Sequence, residues 1–168
     1  MALDTQLREQ LRTLLESENA HMTFEEAVAD FPLEYINTKP PHVSYTPWHL
    51  LEHLRRSQWD ILEFIINPEH VSPSWPEGYW PAQHEQADEA AWHKTIASFR
   101  ADLHALSMLV MDPETDLATP IPHGSGQTVL REILVVADHN AYHIGEFAIL
   151  RQVMQTWNLS MSNESVYK

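Results

Sequence analysis

The sequence predicts an all-α fold, a four-helix bundle with one short additional helix near residues 23–31. Long stretches place apolar residues at helical spacing, and no stretch shows the period-two alternation of a half-buried strand. Only 4 glycines occur among 168 residues, fewer than turn-dense all-β folds usually need. The length fits one domain, so we expect a single bundle domain over residues 1–168.

The first two predicted helices lie in the N-terminal third of the chain. Leucines recur on one face over residues 4–16, which predicts an amphipathic helix. Thr23 then precedes Glu26 by the capping-box spacing, so a short helix should start there and end near Pro32. The proline-containing stretch 37–45 is predicted to be a loop.

Three longer helices should complete the bundle. Thr46 can cap a helix and Pro47 is tolerated at its first position, so a helix begins there and continues to about residue 67. The helical period returns over residues 88–111 and again over residues 128–157. These segments, with the first helix, supply the four members of the bundle.

Residues 68–83 form an unusually long predicted loop, with four prolines, two tryptophans and a tyrosine. Loops of this length are often functional, as lids or binding segments. The alternative is that the aromatic residues cover one end of the bundle. The sequence leaves both interpretations open.

Composition excludes several classes of function. The chain has no cysteine, so disulfides, thiolate metal sites and cysteine nucleophiles are excluded, and any metal must be held by imidazole or carboxylate. The formal net charge of −14 disfavours nucleic-acid binding, since a phosphate backbone would be repelled. The N-terminal residues are too polar for a signal peptide, and no apolar run reaches the roughly 20 residues of a membrane span. We therefore expect a cytoplasmic protein that does not contact membranes.

Two histidine pairs have the spacing of metal ligands. His49 and His53 lie four residues apart on one predicted helix, and His139 and His143 on another. Four residues advance a helix by about 400° and about 6 Å, so both rings of a pair project from one face. Facing helices of a bundle can then bring ligands to a common ion. The zinc-protease motif is excluded, because Asn140 occupies the position of its glutamate.

We predict His53, His139 and His143 as the metal ligands. His53 is flanked by leucines within its helix, whereas His49 lies in the first turn, where a helix N-terminus disfavours positive charge. His49 is then a residue beside or at the entrance of the site, or simply a solvated histidine. Three imidazoles leave a coordination position open, as catalytic sites do. Nitrogen ligands without sulfur suit zinc, nickel, copper or iron, and the ligands alone do not choose among them. We expect one divalent transition metal, with zinc or nickel as the first candidates.

Three further residues are candidates around the site, with catalytic roles unassigned. Glu146 falls three residues beyond His143 and is a fourth ligand, a base or a solvated acid. Asp60 shares the helical face of His53 and is a candidate to orient an imidazole. His123 lies in a loop that enters the last helix and is placed within reach of the site. The other histidines are expected at the surface: His21, His42, His70, His84, His93 and His104.

The histidine segments resemble those of the DinB-like family of helical-bundle proteins. The runs Trp-His-Leu-Leu-Glu-His at residues 48–53 and Asp-His-Asn-Ala-Tyr-His-Ile-Gly at residues 138–145 carry the resemblance, which covers residues 7–157. It implies a histidine midway along the second bundle helix joined to a pair on the last one. It also implies a homodimer. Glu146 stands where many relatives have glutamine, which leaves its role open.

The resemblance implies a function without fixing it. Some relatives are metal-dependent transferases or isomerases that use a low-molecular-weight thiol. The leading expectation is a metal-dependent enzyme, a thiol-dependent transferase or a hydrolase, acting on a small-molecule substrate. The alternatives are a non-catalytic, metal-stabilised bundle for stress response or small-molecule binding, and a bundle without metal whose histidines are only hydrogen-bonded.

Overall fold

The computed structural model describes residues 2–16 and 20–157, and within these ranges the chain is helical without strands. Its α-helices are α1 (Ala2–Glu16), α2 (Phe24–Val28), α3 (Pro47–Ile66), α4 (Glu89–Met111) and α5 (Val129–Met154), with a 3-10 turn at Leu33–Tyr35. The predicted all-α class is confirmed. None of these helices is both long and apolar enough to cross a bilayer.

Three of the longer helices, α3, α4 and α5, begin after a capping side chain, of which the sequence predicted Thr46. Thr46, Asp88 and Thr128 each accept a hydrogen bond from a backbone N–H three residues ahead. Pro47 occupies the first position of α3, where its missing N–H costs nothing. These side chains satisfy amide groups that would otherwise lack partners at a helix start.

Two helices end earlier than the sequence predicts. The capping box of α2 forms as expected, but the helix ends at Val28 and not near Pro32, since Ala29 has an extended ψ of 133° and Asp30 then adopts a left-handed φ of 50°. The last helix, α5, ends at Met154 because Gln155 adopts φ 55°. Neither residue is glycine, so helical periodicity gave no sign of these breaks.

The long helices pack as a bundle in which α1 and α3 occupy opposite corners. Each of them contacts both α4 and α5. The first third of α3 faces the middle of α5, where the Nε2 atoms of His53 and His139 approach to 3.3 Å. The groove between α3 and α5 therefore carries the predicted ligands.

The core consists of two apolar clusters, one at each end of the bundle. A hydrogen bond between two buried side chains links α3 to α5: Asn140 donates to the Gln58 side-chain oxygen at 2.9 Å. Gln58 in turn donates to the carbonyl of Phe99 on α4 at 2.8 Å. These two bonds link the three helices beside the site and pair both ends of the buried Gln58 amide, which would be costly to leave unpaired. The buried Oδ1 atom of Asn140 has no partner among the described residues.

Candidate metal centre

The structure brings the predicted triad together. One nitrogen from each of His53, His139 and His143 lies within 4.8 Å of the other two. The Nε2 atoms of His53 and His139 are 3.3 Å apart. Nitrogens about 2.0–2.1 Å from a tetrahedral ion would be separated by about 3.4 Å. The donor set could therefore hold a single metal ion between α3 and α5.

Hydrogen bonds at the rear of two rings fix which nitrogen faces the centre. The Nδ1 atom of His53 lies 3.1 Å from the Tyr79 carbonyl oxygen, and that of His143 lies 2.6 Å from a carboxylate oxygen of Glu146. Both partners are acceptors, so each Nδ1 carries the proton. The Nε2 lone pairs are then free to bind metal, the arrangement usual for ligand histidines.

The interior of the site favours uncharged imidazoles. Burial lowers the pKa of His53 from 6.5 to about 4, although its bond to the Tyr79 carbonyl opposes the shift. Burial also lowers the pKa of His139 to about 4, assisted by the nearby His143 and His53. Both rings are neutral at pH 7, the form that a metal requires.

An aromatic wall covers one face of His53. The Trp80 ring stacks on the imidazole at 4.0 Å between centroids, with the planes only 8° apart. Tyr45 packs beside Trp80 at 5.4 Å. Trp75, in the same long loop, is 71% exposed. The loop thus contributes Tyr79 and Trp80 directly to the site, and its aromatics do not all serve to cover the bundle.

Glu146 occupies a position behind His143. One carboxylate oxygen accepts from His143, and the other accepts from the Tyr45 hydroxyl. The bond to His143 lowers the pKa of Glu146, although partial burial opposes this. The carboxylate contacts the Nδ1 atom of His143 and not the nitrogen that faces the centre, so the geometry favours an orienting role over a fourth ligand. Its roles as a base or as a partly solvated acid stay predictions, since 29% of the side chain is exposed.

Asp60 and His49 lie near the site, but their hydrogen bonds go to other residues and not to the triad rings. Asp60 accepts from the Tyr79 hydroxyl at 2.6 Å and lies 2.7 Å from His70 Nε2. His49 is 2% exposed, and its Nε2 lies 2.9 Å from the Glu85 carbonyl oxygen. The interpretation of His49 as solvated is therefore wrong, because the segment before α4 covers it.

Two other expectations about histidines are also wrong. His123 Nε2 lies 2.6 Å from the carbonyl oxygen of Phe64. Phe64 follows His53 by eleven residues on α3, which places it roughly 16 Å from His53 along the helix. The expectation that His123 reaches the site is therefore wrong. His70 is not a surface residue, because its side chain is only 7% exposed against Asp60. The remaining histidines are exposed as expected: His21, His42, His84, His93 and His104.

The sequence did not identify Tyr45, Tyr79 or Trp80 as site residues. All three lie in irregular segments, where no period relates a residue to the helix it contacts. The only available signal was the length and aromatic content of residues 68–83.

Two surface cavities lie beside residues that contact the triad, although no triad histidine lines either of them. One, of about 340 Å³, is lined mainly by apolar groups and reaches Tyr45, Tyr142, Gly145 and Glu146. The other, of about 250 Å³, is lined by residues that include Tyr45, His49 and Trp80. Tyr45 forms part of both, directly in front of the Glu146 carboxylate. Space for a small organic molecule therefore exists on both sides of this tyrosine.

The fold and the triad define a helical-bundle protein with a candidate three-histidine metal centre. The chain belongs to the DinB superfamily, whose family model matches residues 7–147. The match includes all three histidines and Glu146. No curated protein and no solved structure gives a significant match.

Proposed function

We propose that this protein is a metal-dependent enzyme that uses His53, His139 and His143 to hold one divalent transition metal, zinc or nickel. The convergence of three imidazole nitrogens within 4.8 Å carries the proposal. Three protein ligands leave a position for an exogenous molecule, as in catalytic metal sites. A metal there would supply Lewis acidity, which lowers the pKa of a thiol or a water molecule.

The chain's own residues would orient the reactants and exclude water. Tyr79 and Glu146 hold the rings of His53 and His143 from behind. Trp80 shields His53 on one face, while His139 and His143 remain partly exposed. The partial exposure favours an enzyme over a metal-stabilised bundle that is closed over its ion.

The cavity beside Tyr142 and Gly145 supports a small-molecule substrate of a particular class. Among the residues that the structure describes, its wall contains no cationic side chain, and its one carboxylate, Glu146, already has both oxygens engaged. A small uncharged molecule with an apolar part matches this lining. A low-molecular-weight thiol as cosubstrate, a homodimeric assembly and a cytoplasmic location belong to the same proposal.

A titration distinguishes the thiol-dependent reaction from hydrolysis. The cobalt- or nickel-substituted protein is titrated with a low-molecular-weight thiol while the visible spectrum is recorded. A saturable sulfur-to-metal charge-transfer band supports a thiol cosubstrate, and its absence together with ester or amide turnover supports the hydrolase class. If the metallated protein consumes neither thiols, electrophiles nor esters across a broad panel, the enzymatic proposal is wrong.

The cavity assignment has its own test. Leucine in place of Gly145, which lines the cavity, would occupy part of it, since outside its chain neighbours and its own helix backbone no described atom lies within 4 Å of a Cβ added at this glycine. Turnover of apolar substrates should fall at least tenfold in Gly145→Leu while metal content is unchanged. Ala101→Leu, at an exposed site on α4, is the matched control. Equal losses in both variants would contradict the assignment.

A further inference from the structure

The loop that contacts His53 is attached to the same helix that carries it. His53, Arg56 and Asp60 follow one another at three- and four-residue intervals, so they lie along one face of α3. His53 projects toward the triad, whereas Arg56 and Asp60 bind the returning loop. One face of α3 therefore carries both a candidate ligand and the two residues that hold the loop contacting this ligand.

The two anchors hold the loop on both sides of one carbonyl group. Arg56 donates to the carbonyl oxygen of Trp80 at 3.1 Å and approaches that of Gly78 at 3.5 Å. Asp60 accepts from the side-chain hydroxyl of Tyr79, the residue between them. The Tyr79 carbonyl is thereby left to face the Nδ1 atom of His53 at 3.1 Å.

The Asp60 anchor is buried and fully engaged. Asp60 is 8% exposed, and its second oxygen meets His70. Burial raises the pKa of Tyr79 to about 12, and the bond to Asp60 acts in the same direction. The phenol therefore remains protonated at neutral pH and keeps donating to the carboxylate. Breaking this bond would leave a buried charge with one partner fewer, which is costly.

We propose that Asp60 is a positioning residue that fixes the Nδ1-protonated tautomer and the ring orientation of His53 by holding Tyr79 in place. This inference rests on the proposed function, because the orientation of His53 matters only if His53 binds a metal. The tautomer itself can be measured in the metal-free protein. When the carbonyl moves away, Nδ1 loses its acceptor and the proton is no longer confined to that nitrogen. The Nε2 lone pair is then available for only part of the time, so metal affinity falls.

The test measures the tautomer directly. Nitrogen-15 NMR of the metal-free protein at pH 7.5 reports which nitrogen of His53 carries the proton. Wild type should show a single Nδ1-protonated form, whereas Tyr79→Phe and Asp60→Ala should show a mixture. Asp60→Asn, which keeps an oxygen acceptor for the Tyr79 hydroxyl, should restore much of the wild-type signal. Metal affinity should fall about 10–100-fold in the first two variants, as when other outer partners of ligand histidines are removed.

Asn37→Ala is the matched structural control. Asn37 also ties down an irregular segment, through two hydrogen bonds with the backbone of Ala87, and neither bond involves His53. This variant should lose stability while the His53 tautomer is unchanged. A wild-type tautomer signal in folded Asp60→Ala and Tyr79→Phe would overturn the role of Asp60. If wild type binds no metal but the tautomer shifts as expected, the proposed function fails and the positioning role stands.

Discussion

His53 and His143 receive the same kind of support from different parts of the chain. The acceptor for His143 is Glu146, three residues along the same helix. The acceptor for His53 is Tyr79, which lies 26 residues away in an irregular loop and is held by Arg56 and Asp60. The first arrangement forms whenever α5 forms, while the second requires the loop to fold back correctly. A local pair is therefore robust, and a loop-borne pair depends on tertiary structure.

The largest expected effect is the loss of a ligand. His53→Ala should lower metal affinity by more than the roughly 100-fold that removal of an outer partner costs, because a bond to the ion itself disappears. His49→Ala is the control, since His49 is buried at the same end of α3 but binds the Glu85 carbonyl. Metal competition assays on both variants measure the difference, and equal affinity in the two would contradict the assignment of His53.

The support of His143 should produce the next effect. Glu146→Ala removes the Nδ1 acceptor and should lower metal affinity about 10–100-fold. Glu146→Gln keeps an oxygen that accepts from the ring and should lose less. Asp138→Ala removes an exposed acid from the same helix and controls for charge alone. If Asp138→Ala and Glu146→Ala weaken binding equally, the effect is net charge and not orientation.

Metal removal should act on stability as well. An ion that binds only the folded state at 100 times its dissociation constant stabilises it by about 2.7 kcal/mol, and chelation removes that contribution. Wild type should therefore melt at a lower temperature with a chelator, whereas His53→Ala should be much less sensitive. Scanning calorimetry of both proteins gives the comparison. An equal response of both would show that the chelator acts elsewhere.

The difference between helix-borne and loop-borne contacts also explains which parts of the site could be predicted from the sequence. The start of α3 was predictable because Thr46 is a capping residue followed by proline, and the starts of α4 and α5 were predictable from helical periodicity. The triad was predictable because four-residue spacing places two rings on one face. Glu146 was a candidate for the same reason, although its role beside His143 required coordinates.

The loop contribution was not predictable from periodicity. Tyr79 and Trp80 lie in a segment without regular structure, so nothing in the sequence relates them to His53. The burial of His49 and His70 was missed for a similar reason. His49 lies against the carbonyl of Glu85 in an irregular segment, and His70 itself lies in an irregular segment that folds back onto Asp60. Long-range contacts of irregular segments depend on the assembled tertiary structure.

The smallest expected effect concerns Gly145, which lies beside Glu146 in the middle of α5. Glycine inside a helix costs about 0.5–1 kcal/mol relative to alanine, and no described atom outside the neighbouring residues and backbone of α5 lies within 4 Å of an added Cβ. Gly145→Ala should therefore raise the free energy of unfolding by about that amount and leave metal affinity unchanged. Urea unfolding measures it, and a destabilised variant would show that the position is packed in solution.

The most direct test of the metal centre is anomalous diffraction from crystals of untagged protein loaded with zinc or nickel. The account predicts one peak per chain, about 2.0–2.1 Å from the Nε2 atoms of His53, His139 and His143, with Glu146 outside bonding distance. No peak between α3 and α5, or a peak bound by Glu146 in place of His53, would contradict it.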